Sequence, residues 1–271
     1  MGENELKMIV AGEFQRNLLD KLKALTLYFH IECDEFPDYG FLQQLPNVKK
    51  LVVRSSSFKA IFCFQRPNNS EHLLQLKQLR LESLGERVSI GLQNSWTEPF
   101  VKNLETFEVI SCSSLENLVS CKVSFSNLIR LKVESCNRLS YLFTSSTAES
   151  LAQLQKIEIR MCGSIEEIVS NKEEGEKLNE DEIIFPKLTH LILFMLFKLR
   201  RFYGGSLSFP LLEKLSVLNC NKMKILCGGT IKTDKLSEVT INYKTISLET
   251  NLNTTVKKQF EKKQLEKKVC V

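Results

Sequence analysis

The sequence lacks a long apolar run and lacks a recognisable secretory signal. No apolar stretch in its 271 residues reaches the roughly 18 to 20 residues that a membrane-spanning helix requires. Residues Met1 to Leu6 carry acids where a secretory signal carries bases, and they contain no apolar stretch. We therefore predict a protein without a membrane span, located by default in the cytoplasm.

Motifs of catalysis, metal binding and nucleotide binding are also missing. The three histidines, His30, His72 and His190, are far apart in the sequence, and neither H-E-x-x-H nor G-x-S-x-G occurs. No C-x-x-C spacing with a nearby histidine suggests a metal site. Residues 227–233 resemble a phosphate loop only faintly, because Ile231 stands where the motif requires a glycine. We predict no enzyme activity, no cofactor and no metal.

The basic residues do not form a pattern typical of nucleic-acid binding. Residues 257–271 hold six lysines and two glutamates, so this segment carries +4 of the formal net charge of +5. Binding of DNA or RNA would instead favour arginines and aromatic side chains interleaved on one face. We predict no nucleic-acid partner.

The feature that is present is a repeat of aliphatic residues with the pattern L-x-x-L-x-L. Aligning on the second leucine of the pattern gives nine anchors: Leu25, Leu51, Leu79, Phe107, Leu131, Ile157, Leu191, Leu215 and Val239. The residues three before and two after every anchor are also aliphatic. Eight intervals between anchors run from 24 to 34 residues, and all but the longest fall within the period of about 20 to 29 residues expected of leucine-rich repeats.

The alternation in L-x-L has a period of two, which places both aliphatic residues on one face of a short strand. One such strand cannot bury its apolar face alone, whereas stacked copies share a continuous core. The repeat therefore predicts an α/β repeat solenoid. We expect a curved leucine-rich-repeat horseshoe with a parallel β-sheet on the concave face and mostly irregular or short helical segments on the convex side.

Cysteines recur five positions after four of the anchors, where the architecture favours a small side chain that hydrogen-bonds the turning backbone. These are Cys112, Cys136, Cys162 and Cys220. The total of nine cysteines is odd, which favours free buried thiols over a disulfide framework. The alternative is a bridge or a thiolate pair between cysteines on neighbouring strands, roughly 5 Å apart.

The pattern divides the chain into three parts. Residues 1–18 are an N-terminal linker or partial repeat, residues 19–250 hold about nine repeats, and residues 251–271 form a basic tail. The longest interval contains residues 170–182, with six acids, two lysines and one leucine, which we interpret as a solvated insertion. A regulatory electrostatic contact is the alternative interpretation of this insertion.

The tail carries four apolar residues whose spacing gives no single stripe on a helix. Val256 and Phe260 would lie on roughly the opposite side from Leu265 and Val269. The many lysines favour water, so we predict that the tail frays. The alternative is a short helix that covers the exposed end of the core with one of the two pairs. Asn253 begins an N-x-T sequon, as Asn68 begins an N-x-S sequon, and without a secretory route we interpret both as turn residues.

The predicted concave face is built from the residues directly before, directly after and three after each anchor. In the fifth and sixth repeats these positions alternate in charge: Arg130, Lys132, Glu134, Lys156, Glu158 and Arg160. They form either a solvated sheet face or a selective polar interface. In the next two repeats they are His190, Ile192, Phe194, Lys214, Ser216 and Leu218. We expect Ile192, Phe194 and Leu218 to form an exposed apolar cluster that binds a partner, unless other side chains or the tail cover it.

The amino-acid sequence of the later repeats resembles that of a known family. Residues 185–193 and 209–223 resemble the F-P-x-L-x-x-L-x-V-x-x-C-x-x-M repeats of plant intracellular immune receptors of the coiled-coil, nucleotide-binding, leucine-rich-repeat kind. Residues 45–53 are similar to the earlier repeats of that family, and the resemblance covers roughly residues 19–245. It implies a role in recognition and in restraining a nucleotide switch. The phosphate loop of that switch is absent here, so nucleotide exchange is not assigned to this chain.

The sequence therefore favours a non-catalytic protein-interaction module of plant defence. Its expected partner is a pathogen effector, a host protein or the receptor's own domains, bound at the concave face. The alternative is the substrate-recognition array of a ubiquitin-ligase adaptor of the F-box type, although residues 1–18 are too few for an F-box. An extracellular receptor is disfavoured, because the signal peptide and the G-x-I-P repeat ending are both missing.

Overall fold

A computed structural model describes residues 8–9, 13, 16–28, 36, 41–42, 44–55, 58, 60–63, 75–85, 89–90, 98–118, 123–170, 182–248 and 251–269. The strands, in chain order, are β1 Ala24–Tyr28, β2 Lys50–Arg54, β3 Ala60–Ile61, β4 Gln78–Glu82, β5 Ser89–Ile90, β6 Thr106–Ile110, β7 Arg130–Glu134, β8 Phe143–Thr144, β9 Lys156–Arg160, β10 Val169–Ser170, β11 Ile183–Ile184, β12 His190–Phe194, β13 Leu207–Ser208, β14 Lys214–Leu218, β15 Ile231–Lys232, β16 Glu238–Ile241 and β17 Lys244–Ser247. The helices are α1 Arg16–Leu19, α2 Glu98–Asn103, α3 Ser145–Glu149 and α4 Leu252–Val269.

One ten-stranded sheet organises the molecule, with the strand order β1-β2-β4-β6-β7-β9-β12-β14-β16-β17. All nine predicted anchors lie in its first nine strands, which run parallel and pair anchor to anchor, as Leu131 does with Ile157. Burial alternates along the strands because the aliphatic residues of L-x-L turn inward together. The predicted leucine-rich-repeat solenoid with a parallel sheet is confirmed.

The interior behind the sheet is a continuous apolar core. The residues of the L-x-L pairs are buried, with exposures of 7 % or less. Phenylalanines reinforce the core: Phe107 stacks on Phe125 at 5.9 Å between ring centroids, and Phe185 stacks on Phe209 at 5.4 Å. Each fully buried side chain of this size contributes about 1.5–3 kcal/mol relative to exposure. The core is therefore distributed along the repeats rather than concentrated in one centre.

A left-handed residue ends most strands of the main sheet. Ser83, Ser111, Ser135, Met161 and Met195 have φ between 51° and 56°. The N–H of each donates to a carbonyl oxygen at the end of the next strand, as in Met161 to Phe194 O at 2.8 Å. This conformation is unfavourable for residues other than glycine, so the repeated bond between neighbouring repeats offsets the local strain.

The four repeat cysteines are buried and free, as predicted. The thiols of Cys112 and Cys136 donate to the carbonyl oxygens of Leu81 and Val109 on the preceding strand, both at 3.8 Å. Cys162 Sγ accepts from the backbone N–H of Cys136 at 3.4 Å. The cysteine row therefore satisfies backbone groups where each strand turns away from the sheet.

On the side opposite the main sheet, the described residues form short elements. Pairs of two-residue parallel strands, β3 with β5 and β8 with β10, and the trio β11, β13 and β15 connect successive repeats. Helix α3 begins after Thr144, whose Oγ1 accepts from the N–H of Thr147. The predicted insertion begins later than expected, because Ser170 is buried in β10 and therefore belongs to the core side. Residues 171–181 lie outside the described residues.

The C-terminal end of the sheet is closed by a hairpin and a helix. Strand β17 pairs antiparallel with β16 through the two-residue turn Asn242-Tyr243, whose positive φ values of 46° and 68° match a type I′ turn. The predicted fraying of the tail is wrong, because α4 extends from Leu252 to Val269. Leu252, Val256 and Phe260 are buried. With Leu252 included, the residues follow the i, i+4, i+8 spacing of one helical stripe.

The interpretation of Asn253 as a turn residue is also wrong. Asn253 lies in the first turn of α4, and its Oδ1 accepts from the backbone N–H groups of Leu226 and Cys227 at 2.9 and 3.1 Å. Its Nδ2 donates to the carbonyl oxygen of Cys227 at 2.9 Å. Asn253 therefore fastens α4 to the preceding repeat. Asn68 lies outside the described residues, and the division at residues 18 and 250 stays a prediction.

Candidate protein-interaction surface

The twelve candidate residues lie together on the outer face of the main sheet, which we call the interaction face. Parallel register aligns them in three rows across β7, β9, β12 and β14. The basic row is Arg130, Lys156, His190 and Lys214. The middle row is Lys132, Glu158, Ile192 and Ser216. The end row is Glu134, Arg160, Phe194 and Leu218.

Ion pairs organise the charged half of the interaction face. Glu158 accepts from both of its neighbours along β9, with Lys156 Nζ at 2.9 Å and Arg160 Nε at 2.6 Å. Lys132 pairs with Glu134 at 2.7 Å. Partial burial opposes ionisation of Glu158, but the hydrogen bonds and charges of Lys156 and Arg160 outweigh it and lower the pKa of this carboxyl. Glu158 is therefore the fixed negative centre of the face.

The basic row is less well balanced. Arg130 and Lys214 are exposed and form no ion pair with any residue in the described part of the chain. His190 lies between Lys156 and Lys214 in the register, and its Nδ1 is 2.9 Å from Thr189 Oγ1. Successive side chains in such a row are about 4.8 Å apart. The row therefore places positive charge on neighbouring strands without a matching row of carboxylates.

A concavity of about 540 Å³ opens at the basic row. Its lining comes from four neighbouring strands and the residues that precede them: Thr106, Glu108, Arg130, Leu131, Lys132, Gln155, Lys156, Glu158, Thr189 and His190. Gln155 and Thr189 were not predicted, because they stand two positions before an anchor and outside the strand alternation. Their shared position, two residues before an anchor, is the sequence signal that could have identified them. In the structure, Thr189 Oγ1 donates to the carbonyl oxygen of Gln155 at 3.0 Å across neighbouring repeats.

The apolar corner, Ile192, Phe194 and Leu218, differs from the prediction in its exposure. All three side chains are only partly exposed, so the expectation of an exposed cluster is too simple. The guanidinium of Arg160 lies over the ring of Phe194, 5.5 Å from its centroid. Ser216 is buried. The corner therefore presents partial apolar edges beside a cation rather than open apolar faces.

The described residues contain no group of three or more histidine, cysteine, aspartate or glutamate side chains placed to hold a metal ion. Within the same part of the chain, no helix combines the length and the apolar character needed to cross a membrane. The interaction face itself presents ion pairs, hydrogen-bonding groups and partly exposed apolar side chains. Together, the parallel repeats and this outer face define a leucine-rich-repeat interaction module.

Comparisons with known proteins identify the kind of repeat. Residues 120–245 match the family described as plant disease resistance protein RPS2-like, leucine-rich repeats. Disease resistance protein UNI of Arabidopsis thaliana is 28% identical over 250 residues, which is 83% of this chain and 28% of that protein. Disease resistance protein RPS5 of the same plant is 33% identical over 151 residues, which is 56% of this chain and 16% of that protein. Over these repeats the chain is similar to the leucine-rich repeats of plant disease resistance proteins.

This similarity confirms the resemblance predicted from the F-P-x-L repeats. The chain spans less than a third of the length of UNI and RPS5, so those proteins contain much that has no counterpart here. The matched residues 120–245 include every strand of the interaction face. Similarity to these proteins supports a plant-defence repeat module with an interaction fold.

Proposed function

We propose that this module recognises a protein partner through the interaction face. The partner is a pathogen effector, a host protein or the nucleotide-switch domain of a disease resistance receptor, whose state the repeats would restrain. Recognition takes place in the cytoplasm in this proposal. Relatives named as disease resistance proteins support it, and these names favour it over a ubiquitin-ligase adaptor.

The observation that supports the proposal most is that three features suited to binding lie on one face. A concavity of about 540 Å³, the basic row and the apolar corner are contributed by adjacent strands. Protein interfaces commonly combine apolar anchors, which supply binding energy, with charges that set orientation and partner choice. The partly buried Phe194 is already held by Arg160, so less side-chain freedom is lost when a partner docks.

The test is affinity purification of the tagged full chain from plant tissue. The face variant is Phe194→Ala with Leu218→Ala, which shortens two partly exposed side chains of the end row. The control is Lys222→Ala with Lys224→Ala, two exposed residues that follow β14 but lie outside the interaction face. Thermal unfolding followed by circular dichroism establishes that all three proteins are folded.

The proposal expects at least one protein to be captured by the wild type and the control and lost with the face variant. Two truncations of anchoring side chains at an interface would weaken binding about tenfold or more. Capture of the same proteins in equal amounts by the folded face variant would contradict the proposal.

A further inference from the structure

We propose that the partner of the interaction face presents an acidic segment that carries an aromatic or branched aliphatic side chain. This inference rests on the proposed function, because it names the chemistry of a partner at the same surface. The charge of the face, the register of its strands and the Phe194 ring, which Arg160 covers, support it.

The interaction face carries a net positive charge. Its twelve residues include five lysines or arginines and two glutamates, which leaves a formal charge of +3 with His190 neutral. Both carboxylates are already engaged: Glu158 with Lys156 and Arg160, and Glu134 with Lys132. Glu108, which also lines the concavity, is engaged by Arg80 at 3.1 Å, so Arg130 and Lys214 keep no ion pair among the described residues.

The excess is concentrated in the basic row. Register aligns Arg130 with Lys156, Lys156 with His190, and His190 with Lys214. With His190 neutral, Arg130 and Lys156 are the directly opposed cations of this row, and like charges on directly opposed positions of a sheet are unfavourable. A line of carboxylates laid across the strands would relieve this repulsion, and the concavity of about 540 Å³ at the same row provides room for their side chains. The geometry therefore favours an acidic chain that runs across the strands rather than a single small anion.

The apolar corner sets the second requirement. Phe194 and Leu218 stand at the carboxyl ends of β12 and β14, whereas His190 and Lys214 stand at the amino ends. The two ends of a five-residue strand are about 13 Å apart, at about 3.3 Å per residue. An apolar side chain that contacts the corner must therefore project sideways from the acidic segment or come from a residue beside it.

A nucleic acid fits this face less well than an acidic protein segment. Binding of single-stranded nucleic acid relies on aromatic faces on which bases stack. The ring of Phe194 has the guanidinium of Arg160 over it at 5.5 Å, so that face is occupied. The partly exposed aliphatic edges of Ile192 and Leu218 are suited to an apolar side chain of a protein.

The test measures fluorescence anisotropy of labelled probes with the full chain. The first probe is a twelve-residue peptide of glutamate and serine with a central phenylalanine. The matched peptides replace glutamate with lysine, or phenylalanine with serine, and a twelve-nucleotide RNA is the remaining probe. Binding is measured at two salt concentrations, because contacts between exposed charges weaken as salt rises.

The face variant is Arg130→Glu with Lys214→Glu, and Arg130→Gln with Lys214→Gln is a milder version in case the first unfolds. The control is Lys257→Glu with Lys258→Glu, which makes the same charge change at exposed positions of α4. We expect salt-sensitive binding of the acidic peptide, weakened about tenfold in the face variant and unchanged in the control. The peptide without phenylalanine should bind more weakly than the peptide with it.

Three results would overturn the inference: no binding of the acidic peptide, equal binding by the folded face variant, or tighter binding of RNA with the same dependence on Arg130 and Lys214. Each is distinguishable from failure of the proposed function. If Phe194→Ala with Leu218→Ala still removes a captured plant protein, the face binds a partner of different chemistry. If that variant removes nothing, the proposed function fails as well.

Discussion

The attachment of α4 to the last repeats depends on one side chain, Asn253, and its removal has a calculable cost. The Asn253→Ala variant leaves the backbone N–H groups of Leu226 and Cys227 without the oxygen that now accepts from both. Leu226 and Cys227 are both fully buried. Each unsatisfied buried donor costs about 1–3 kcal/mol, and alanine regains about 0.5 kcal/mol of helix propensity. For the two donors together we expect a net loss of about 1.5–5.5 kcal/mol in the free energy of unfolding.

The assay is urea unfolding followed by circular dichroism, with hydrogen exchange to locate the effect. Lys258→Ala is the matched control, because Lys258 is exposed on the same helix. Exchange should accelerate at the amides of Leu226 and Cys227 and stay unchanged in β7. Asn253→Asp keeps an acceptor but loses the donor to Cys227 O, so its cost should be smaller. The reasoning is refuted if Asn253→Ala unfolds within about 0.5 kcal/mol of the control.

Three further predictions concern the core, the thiols and the ion pairs. Leu131→Ala should lose about 3 kcal/mol of unfolding free energy because Leu131 is buried, whereas Arg130→Ala on the same strand should stay within about 0.5 kcal/mol of the wild type. Equal losses in urea unfolding would argue against the inward alternation. Burial raises the pKa of Cys220 to about 11, so alkylation mapped by mass spectrometry should modify exposed Cys63 in the folded protein but Cys220 only after unfolding. Because the pKa of Glu158 is lowered in the folded protein, its ionised form stabilises the fold above the ordinary pKa of 4.5, and this contribution is lost as pH falls through the lower folded pKa. Glu158→Gln should therefore weaken the dependence of unfolding free energy on pH at acid pH. The same pH dependence in both proteins would contradict the pairing.

The repeat and its sheet were predictable from the sequence because their signal is both local and repeated. Leu131 and Val133 alternate with polar neighbours, and the same alternation recurs at nine anchors. The repeats with a clear pattern therefore support the prediction of a strand where one repeat alone is ambiguous. Cysteines such as Cys136 were predictable for the same reason. Single residues with no counterpart in other repeats offered no such correction.

The C-terminal cap shows where the sequence was insufficient. Its helix depends on Leu252 completing a stripe with Val256 and Phe260, and on Asn253 meeting the backbone of a repeat 26 residues earlier. Neither contact follows from the spacing of the tail alone. The six lysines suggested fraying, whereas the described Lys257 and Lys258 lie on the exposed side of a helix whose other side is buried.

The sequence predicts which residues lie on the interaction face, but it does not predict how exposed their side chains are. Register places Phe194 beside Arg160 and Leu218 as the anchor alignment requires. The guanidinium that lies over the ring depends on side-chain conformation, which a sequence pattern does not contain. The joining of Gln155 and Thr189 to the concavity likewise depends on the path of the chain before each strand.

The central claim, that the outer face of the main sheet binds a protein, is tested most directly by hydroxyl-radical footprinting. The full chain is labelled alone and in complex with the partner that it captures from plant tissue. We expect oxidation of Phe194 and Leu218 to fall on binding, whereas oxidation of exposed Ile184 in β11 and Tyr243 in the C-terminal turn should stay unchanged. Unchanged oxidation of Phe194 and Leu218 together with protection of Ile184 would place the partner elsewhere and contradict the account.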